Sequence, residues 1–271
     1  MRLQENDVDH IAARFVEARR AARALDAFPG MQPETLADAY RVQERAISLS
    51  GRSVIGWKVA GIRPDLRESL GANRLAGPVM AGNVHHLPTG GTVRAPVFVG
   101  GFAALEAEFV AVFARDLRPV DGGFTAEAIV AALSGLHAGS EIASSPLATL
   151  NDLGPTAVVS DHGNNAGAVV GPEIPGWRGA DLSALTSRML INGNVAGDGS
   201  AANVMGGPIA ALQFLAEHLL TRGRHLGAGD IVLTGMTTGI HHVVPGDHGR
   251  IEFAGTKACD IDVVAAIPAG S

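Results

Sequence analysis

The fold is decided by the stretch Leu105-Glu106-Ala107-Glu108-Phe109-Val110-Ala111-Val112-Phe113, in which two glutamates interrupt an otherwise apolar run. Successive side chains of an extended strand point to opposite faces, so both glutamates lie on one face, beside Val110 and Val112. Apart from these two side chains, both faces are apolar, which is the pattern of a strand buried on both sides. The stretch therefore predicts a buried strand in a strand-rich fold.

The two glutamates of this strand would stand about 6–7 Å apart along the backbone. Two carboxylates on one buried face repel each other unless they are protonated or bridged by a cation. A hard divalent cation with oxygen ligands resolves that conflict. Taken alone, however, the strand is better explained as an exposed edge strand that carries a hydrated acidic patch.

A third carboxylate favours the metal site. Glu141 lies in the small-residue stretch Ser134–Ala143, and by itself it is best interpreted as an ordinary loop carboxylate. Together with Glu106 and Glu108 it would complete a three-carboxylate site. Such a site leaves three octahedral positions of a divalent cation for water or substrate.

Lys58 lies in the middle of a predicted strand, Val54–Gly61, out of phase with the apolar side chains of Trp57 and Val59. It faces either a hydrated side of the sheet, which is the commoner case, or a polar cavity. In a cavity it would hold a substrate carboxylate, or act as an acid if burial lowered its pKa.

Composition excludes several classes of protein. The chain has 271 residues, 21 Lys and Arg against 27 Asp and Glu, and a formal net charge of −6, which argues against a nucleic-acid partner. The N-terminus carries acidic residues where a signal peptide is basic, and Gly199–Ala216 is too polar for a membrane helix. A single cysteine, Cys259, cannot form an internal disulfide. We expect a cytoplasmic protein with neither a membrane nor a nucleic-acid partner.

Periodicity predicts helices before Gly51 and strands from Ser53 onward, interrupted by helices near 125–133 and 208–220. This irregular order argues against a doubly wound sheet or a (β/α)8 barrel. The strands are predicted at Val54–Ala60, Leu105–Ala114, Leu136–Ile142, Ala166–Val170, Leu185–Ile191, Ile231–Thr234, Arg250–Phe253 and Cys259–Ile267.

A turn-rich loop at Asp161–Gly167 contains amides that either orient a substrate or only close the turn. The pairs His85-His86 and His241-His242 cannot easily serve one ion, because neighbours on a strand point to opposite faces. The sequence has no H-E-x-x-H, C-x-x-C, G-x-S-x-G, Walker A or G-x-G-x-x-G motif. Serine-elbow hydrolysis, nucleotide-dependent chemistry and structural zinc therefore lack support.

Seven stretches in one order resemble the 2-keto-4-pentenoate hydratases, a group that includes the 4-oxalocrotonate decarboxylases and belongs to the fumarylacetoacetate hydrolase superfamily. The resemblance runs from about residue 8 to residue 267. The stretches are Ala39–Gln43, Val54–Gly61, Leu105–Leu117, Ser140–Ser145, Asp161–Gly167, Gly229–Gly235 and Val244–Asp247.

The resemblance implies an α+β fold, a fumarylacetoacetate hydrolase-like mixed β-roll at 53–271 after a short helical N-terminal region at 1–52. It also implies homo-oligomers, with co-assembly with a related family subunit as a further option. By the same resemblance, Mg²⁺ or Mn²⁺ is held by the three glutamates and Lys58 is the active-site lysine. Substrate contacts are expected from the loop and the strand that carry Asp161, Asn165 and Thr234.

Family members act on 2-hydroxydienoates and 2-oxo acids from the meta-cleavage of aromatic compounds. The leading expectation is a metal-dependent lyase, a hydratase that adds water to a 2-hydroxy-2,4-dienoate to give a 4-hydroxy-2-oxo acid. The alternatives, in order, are a 4-oxalocrotonate-type decarboxylase, an acylpyruvate-type C–C hydrolase and a non-catalytic partner subunit.

The sequence departs from the family at three places. Gly77–Asn83 lacks the usual aspartate acid–base partner, Ala103-Ala104 replaces an arginine, and Gly239–His242 introduces histidines. We expect His85, His241 or His242 to replace the aspartate in proton transfer or to recognise a different substrate tail. Hydrated loop histidines explain the same residues equally well.

Overall fold

The structure, a computed structural model, describes residues 2–119 and 123–269. Its α-helices are α1 (Glu5–Arg20), α2 (Leu36–Ser50), α3 (Pro64–Leu70), α4 (Ala126–Ala132), α5 (Pro155–Ser160) and α6 (Gly207–Thr221). Its strands are β1 (Val54–Gly61), β2 (Arg74–Met80), β3 (Val84–His86), β4 (Gly91–Val97), β5 (Phe102–Phe113), β6 (Leu133–Ser145), β7 (Asn165–Glu173), β8 (Thr186–Ile191), β9 (Asn194–Ser200), β10 (Ile231–Met236), β11 (His241–His242), β12 (His248–Phe253) and β13 (Cys259–Ala265).

The strands form two sheets. The larger has the order β2-β1-β10-β5-β6-β7-β3, with β11 paired to β5, and the smaller has the order β4-β13-β12-β8-β9. The pairs β1–β10, β3–β7 and β4–β13 are parallel, whereas the pairs of β5 with β6 and β10 are antiparallel. The larger sheet curls until β2 also contacts β7. The predicted mixed β-roll of the α+β class is confirmed.

Strand β5 lies in the middle of the larger sheet and is buried on both faces, as its alternation predicts. Phe109 and Phe113 point into the main hydrophobic core, together with side chains of the smaller sheet such as Ile261. Val110 points to the opposite side and packs against Leu233 inside the roll. The alternative of an exposed edge strand is wrong, because β6 and β10 pair with both edges of β5.

The N-terminal helices form as their periodicity predicts. Helix α1 buries its face around Ile11 and Phe15, and α2 begins at the cap Thr35, whose side chain accepts a hydrogen bond from the Asp38 amide. The two helices pack against each other, and α2 also packs against α5. The end of α1 is thereby held close to the α5–β7 connection, next to the larger sheet.

The predicted element list was incomplete. It had no strand between 74 and 97, where β2, β3 and β4 lie, and no helix at α3 or α5. Pro78 in β2 and Pro96 in β4 weaken the strand pattern, because proline cannot donate to a ladder and is confined to edges. Both strands do lie at an end of their sheet. Within the described ranges, no helix is both long and apolar enough to span a membrane.

Candidate metal and substrate site

The register between β5 and β6 brings the three predicted carboxylates together. Glu106 lies opposite Glu141, and Glu108 follows Glu106 on the same face of β5. One carboxylate oxygen of each residue lies within 4.8 Å of the others, and the three residues are 5 %, 1 % and 0 % exposed. The three carboxylates predicted from the sequence thus form one buried cluster.

Burial and mutual repulsion perturb these carboxyl groups. Burial and the neighbouring Glu141 raise the pKa of Glu106 to about 8, although Lys58 acts in the opposite direction. The same causes raise the pKa of Glu108 well above its usual range. Because each shift reflects an unfavourable charged state, a bound cation would be strongly stabilised at this cluster.

Lys58 lies on β1 and enters the same buried space. Its residue is 2 % exposed, its Nζ lies 3.0 Å from Glu141 Oε2, and its Nζ donates a 3.1 Å hydrogen bond to Asn164 Oδ1. Burial lowers the pKa of Lys58, but Glu141 and the other two glutamates raise it, and the net pKa is above its usual value. The alternative that Lys58 faces a hydrated side of the sheet is wrong, because the residue is buried. The expectation that burial lowers its pKa is also wrong, because the three glutamates outweigh burial.

A left-handed turn at 162–164 carries Asn164 to Lys58. Three consecutive residues, His162, Gly163 and Asn164, have φ of 55°, 66° and 59°. This conformation costs roughly 1–2 kcal/mol at each non-glycine residue. The turn lies directly on β2, where a Cβ at Gly77 would be 2.2 Å from the His162 carbonyl oxygen. Close packing between these two backbones therefore fixes the position of Asn164 relative to β2.

The predicted substrate contacts take different places in the structure. Asn165 donates from Nδ2 to Glu141 Oε1 at 2.8 Å, so it holds a carboxylate of the cluster. Asp161 is fully buried, and both of its carboxylate oxygens accept hydrogen bonds from Arg19. Thr234 lines the cavity, while its hydroxyl donates to the Phe109 carbonyl at 2.8 Å. Of the three, the structure brings Thr234 to the cavity wall.

The two predicted catalytic histidines lie elsewhere. His85 is on β3, at an end of the larger sheet, where it pairs with Val169. His241 is on β11, and its Nε2 lies 3.0 Å from Thr238 Oγ1. Among the described residues, the cavity lining includes neither histidine. The structure therefore does not place either histidine in the described wall of the cavity.

A cavity of about 1150 Å³ opens from this cluster to the surface. Its inner end carries Lys58, Glu106, Asn164 and Thr234. Its walls are mainly apolar and include Ile62, Leu66, Leu75, Val158, Val204 and Met236. Such a space fits a small molecule whose polar end lies beside Lys58 and whose apolar part lies against this wall.

The donor set fits a hard divalent cation. Magnesium and manganese prefer carboxylate oxygens, and the cluster supplies three of them on adjacent strands. Glu141 Oε2 is buried and accepts no hydrogen bond at a suitable angle from any described residue, although Lys58 Nζ is close. A buried carboxylate oxygen without a donor is an available ligand atom. The backbone N–H of Gly235 donates to Glu108 Oε2 at 2.7 Å and orients a second ligand.

The sequence gives no signal for two residues that the structure brings to the site, Arg19 and Asn164. Arg19 contacts the 161–165 segment across 142 positions, and no local pattern in α1 signals that contact. Asn164 lies in the predicted turn-rich loop Asp161–Gly167, where the sequence predicts a substrate contact at Asn165 and none at Asn164. Its role depends on the left-handed conformation of residues 162–164, which the local sequence does not reveal.

The curled sheet and the buried carboxylates define a metal-binding α+β enzyme scaffold. A family model described as fumarylacetoacetate (FAA) hydrolase C-terminal matches residues 75–264, and the chain belongs to this family.

Curated relatives match along nearly the whole chain. A 2-keto-4-pentenoate hydratase from Burkholderia vietnamiensis is 25% identical over 98% of this chain and 97% of its own length. A 4-oxalocrotonate decarboxylase from Pseudomonas putida is 26% identical over 91% of each chain. The solved structure of 4-oxalocrotonate decarboxylase from Pseudomonas putida G7, complexed with magnesium and adipate, superposes with a TM-score of 0.78 at 23% identity. This superposition covers 97% of this chain and 100% of that one.

Proposed function

We propose that this chain is a divalent-metal-dependent hydratase that adds water to a 2-hydroxy-2,4-dienoate and produces a 4-hydroxy-2-oxo acid. The observation that carries the proposal is the buried cluster of three glutamates beside Lys58, at the inner end of a mainly apolar cavity. Relatives named as hydratases of such dienoates support the choice of reaction.

Glu106, Glu108 and Glu141 would hold Mg²⁺ or Mn²⁺ through their carboxylate oxygens. A divalent cation in such a site supplies Lewis-acid stabilisation of the enolate charge that develops on a 2-oxo or 2-hydroxy acid. Asn165 orients Glu141 by donating to Oε1, and the Gly235 amide orients Glu108 by donating to Oε2.

Lys58 provides the positive charge for the substrate head. Its Nζ stays protonated, because the three glutamates raise its pKa, so it can bind the substrate carboxylate or deliver a proton. Asn164 accepts a hydrogen bond from Nζ and fixes the direction of the ammonium group. Thr234 closes the inner end, and its hydroxyl oxygen keeps accepting capacity while it donates to Phe109.

In the proposed reaction, 2-hydroxypenta-2,4-dienoate is protonated at its terminal carbon, and water then adds at C4. The product is 4-hydroxy-2-oxopentanoate, so the balance needs one water molecule and neither an oxidant nor loss of CO2. The apolar wall around Leu66 and Val204 holds the diene. We assign no step to His85 or His241, because the cavity lining does not include them among the described residues.

The test follows ultraviolet loss of 2-hydroxypenta-2,4-dienoate with Mg²⁺ or Mn²⁺ and with EDTA. We expect metal-dependent loss that is abolished in Glu108→Gln and kept in Glu252→Gln, a half-buried glutamate on β12 of the other sheet. CO2 release from a 2-oxohex-3-enedioate substrate without dienoate turnover would replace the hydratase by a decarboxylase. Metal binding without turnover of either substrate would direct the search to acylpyruvate cleavage. Absence of both metal binding and turnover would favour the partner subunit.

We also propose that the protein acts in aromatic catabolism, in the cytoplasm, as a homo-oligomer. The resemblance of the sequence to the 2-keto-4-pentenoate hydratases supports the catabolic role and the assembly. Light scattering after size exclusion tests the assembly. Co-purification with a second family subunit would instead indicate a mixed oligomer.

A further inference from the structure

Arg19 connects the end of helix α1 to the candidate site. Its side chain is 13% exposed, and it lies in the last turn of the helix. Its Nε donates to Asp161 Oδ1 at 2.5 Å and its Nη2 donates to Asp161 Oδ2 at 2.9 Å. This two-point pairing holds a guanidinium and a carboxylate in one relative orientation.

The same guanidinium also reaches three backbone carbonyls. Nη1 donates to the Asn165 oxygen at 2.9 Å, and Nη2 lies 3.2 Å from both the Asp161 and the Ser144 oxygens. Asp161 and Asn165 are the residues that flank the left-handed turn at 162–164. Arg19 therefore bridges the two ends of that turn and attaches it to β6.

The turn needs such a bridge. Its three consecutive positive φ values include two non-glycine residues, His162 and Asn164, for which this region is sparsely populated. Residues in such conformations persist where surrounding contacts hold them. In this turn, Gly77 supports the inner side through close backbone packing, and Arg19 supports the two ends.

The turn and the residue that follows it present two side chains to the ion pair of the site. Asn164 accepts from Lys58 Nζ at 3.1 Å and donates to Asn151 Oδ1 at 3.2 Å. Asn165 donates to Glu141 Oε1 at 2.8 Å. Lys58 and Glu141 are the two partners of that ion pair, so one turn orients both of them.

We propose that Arg19 is a positioning residue: it bridges Asp161 and Asn165, and through Asn164 and Asn165 it sets the geometry of Lys58 and Glu141. The N-terminal helix thus completes the site without contacting the substrate. This inference concerns the shape of the site and relies on the proposed function only where turnover is the measurement.

The experiment compares full-length Arg19→Gln with Arg20→Gln. Arg20 occupies the same helical turn, but its side chain donates to the Leu49 and Ser50 carbonyls and does not approach the turn at 162–164. Three measurements are made: amide hydrogen exchange of 161–165 in EDTA, Mn²⁺ affinity, and kcat and KM for the dienoate. Replacement of a group that orients a metal ligand typically costs 10–100-fold in affinity or activity.

We expect faster exchange at 161–165, a loss of Mn²⁺ affinity of about 10–100-fold and a lower kcat for Arg19→Gln, with wild-type behaviour for Arg20→Gln. The proposal would be overturned if Arg19→Gln showed wild-type exchange in this segment. It would also be overturned if the wild type bound Mn²⁺ and Arg19→Gln bound it with the same affinity. If the wild type binds Mn²⁺ but does not hydrate the dienoate, the proposed function fails, while hydrogen exchange and Mn²⁺ affinity still test the role of Arg19. If the wild type binds no Mn²⁺, hydrogen exchange alone tests that role.

Arg19→Lys and Asp161→Asn keep the proposal testable if Arg19→Gln does not fold. A single ammonium group cannot pair in two-point fashion with Asp161 and also reach Asn165, so Arg19→Lys should fold and still lose affinity. The effects of Arg19→Gln and Asp161→Asn should be non-additive, because both remove the same contact. A folded Arg19→Lys with wild-type Mn²⁺ affinity and exchange would also overturn the proposal.

Discussion

Lys58 Nζ, on β1, lies 3.0 Å from Glu141 Oε2, on β6, and the two side chains are 3% and 0% exposed. This one cation faces three carboxylates within a buried cluster. The metal-free site therefore holds more negative than positive charge when its groups are ionised. That imbalance is the physical reason why a divalent cation would be bound strongly at this cluster.

Removal of one carboxylate should abolish metal binding and stabilise the metal-free protein. Glu108→Gln keeps the shape of the side chain and its contact with the Gly235 amide but removes a carboxyl group whose charged form is opposed by burial and by the neighbouring glutamates. We expect Mn²⁺ affinity to fall by more than about 100-fold, beyond the range for residues that only orient ligands. Without metal, the free energy of unfolding should rise on the order of 1 kcal/mol. Calorimetry and urea unfolding in EDTA measure both, and a variant that binds Mn²⁺ normally would contradict the site.

Removal of the cation should have the opposite effect on stability. Lys58→Met leaves Glu141 without its ion-pair partner, and breaking a buried pair from one side costs about 3–5 kcal/mol. Mg²⁺ at a concentration of about one hundred times its Kd should raise the free energy of unfolding by about 2.7 kcal/mol. Thermal unfolding with and without Mg²⁺ checks this compensation. The exposed Lys257→Met is the matched control, and an equal loss in both variants would contradict the prediction.

Gly77 should tolerate no side chain. A Cβ at this position would lie 2.2 Å from the His162 carbonyl oxygen, whereas a Cβ at Gly61, on the adjacent strand, would meet nothing within 4 Å. We expect Gly77→Ala to lose on the order of 3 kcal/mol, at the upper end for overpacking. Gly61→Ala should stay within about 0.5 kcal/mol of wild type. Urea unfolding of both variants measures the difference, and equal stabilities would show that the turn can move away from β2.

His162 should make stability depend on pH. Burial, with Arg19 as the next cause, lowers the pKa of His162 to about 3. Below about pH 6.5 the unfolded chain binds a proton at this histidine and the folded chain does not, so stability is lost as pH falls. At pH 5 the loss should be about 2 kcal/mol relative to pH 7, from 1.36 kcal/mol per pKa unit.

His162→Asn should remove this dependence, since asparagine accepts the left-handed φ of 55°. The measurement is the free energy of unfolding at pH 5 and pH 7 in urea. His248→Asn provides a control of opposite sign, because hydrogen bonds to Asp262 and Asp260 raise the pKa of His248. Its stabilisation is present at low pH and is lost as pH rises. An unchanged pH dependence in His162→Asn would contradict the prediction.

Much of the fold follows from local patterns. The alternation in Leu105–Phe113 predicted burial on both faces, and the periodicity of the first 50 residues predicted α1 and α2. The helices predicted near 125–133 and 208–220 also follow from local patterns, and they correspond to α4 and α6. Strands β2 and β4 escaped prediction because a proline interrupts each of them, and their pairing in the sheet outweighs that local preference.

The candidate site divides in the same way. Two glutamates two positions apart on an apolar strand raise a cation site as one interpretation, because their repulsion needs a counter-charge, but on their own they favour an exposed acidic edge strand. Only together with Glu141 do they favour the metal site. Their meeting with Glu141 depends on the register of β5 and β6. The direction of the Lys58 pKa shift depends on those same three carboxylates, and it reverses what burial alone predicts.

The sequence by itself determined which residues are apolar, where they alternate, and that Glu106 and Glu108 share one face of a buried strand. These properties depend on neighbours within a few positions. Tertiary structure decided that Asp161 pairs with Arg19 rather than lining the cavity, and that, among the described residues, neither His85 nor His241 lines it. Contacts across 142 positions follow from sheet register and helix packing, which local periodicity does not encode.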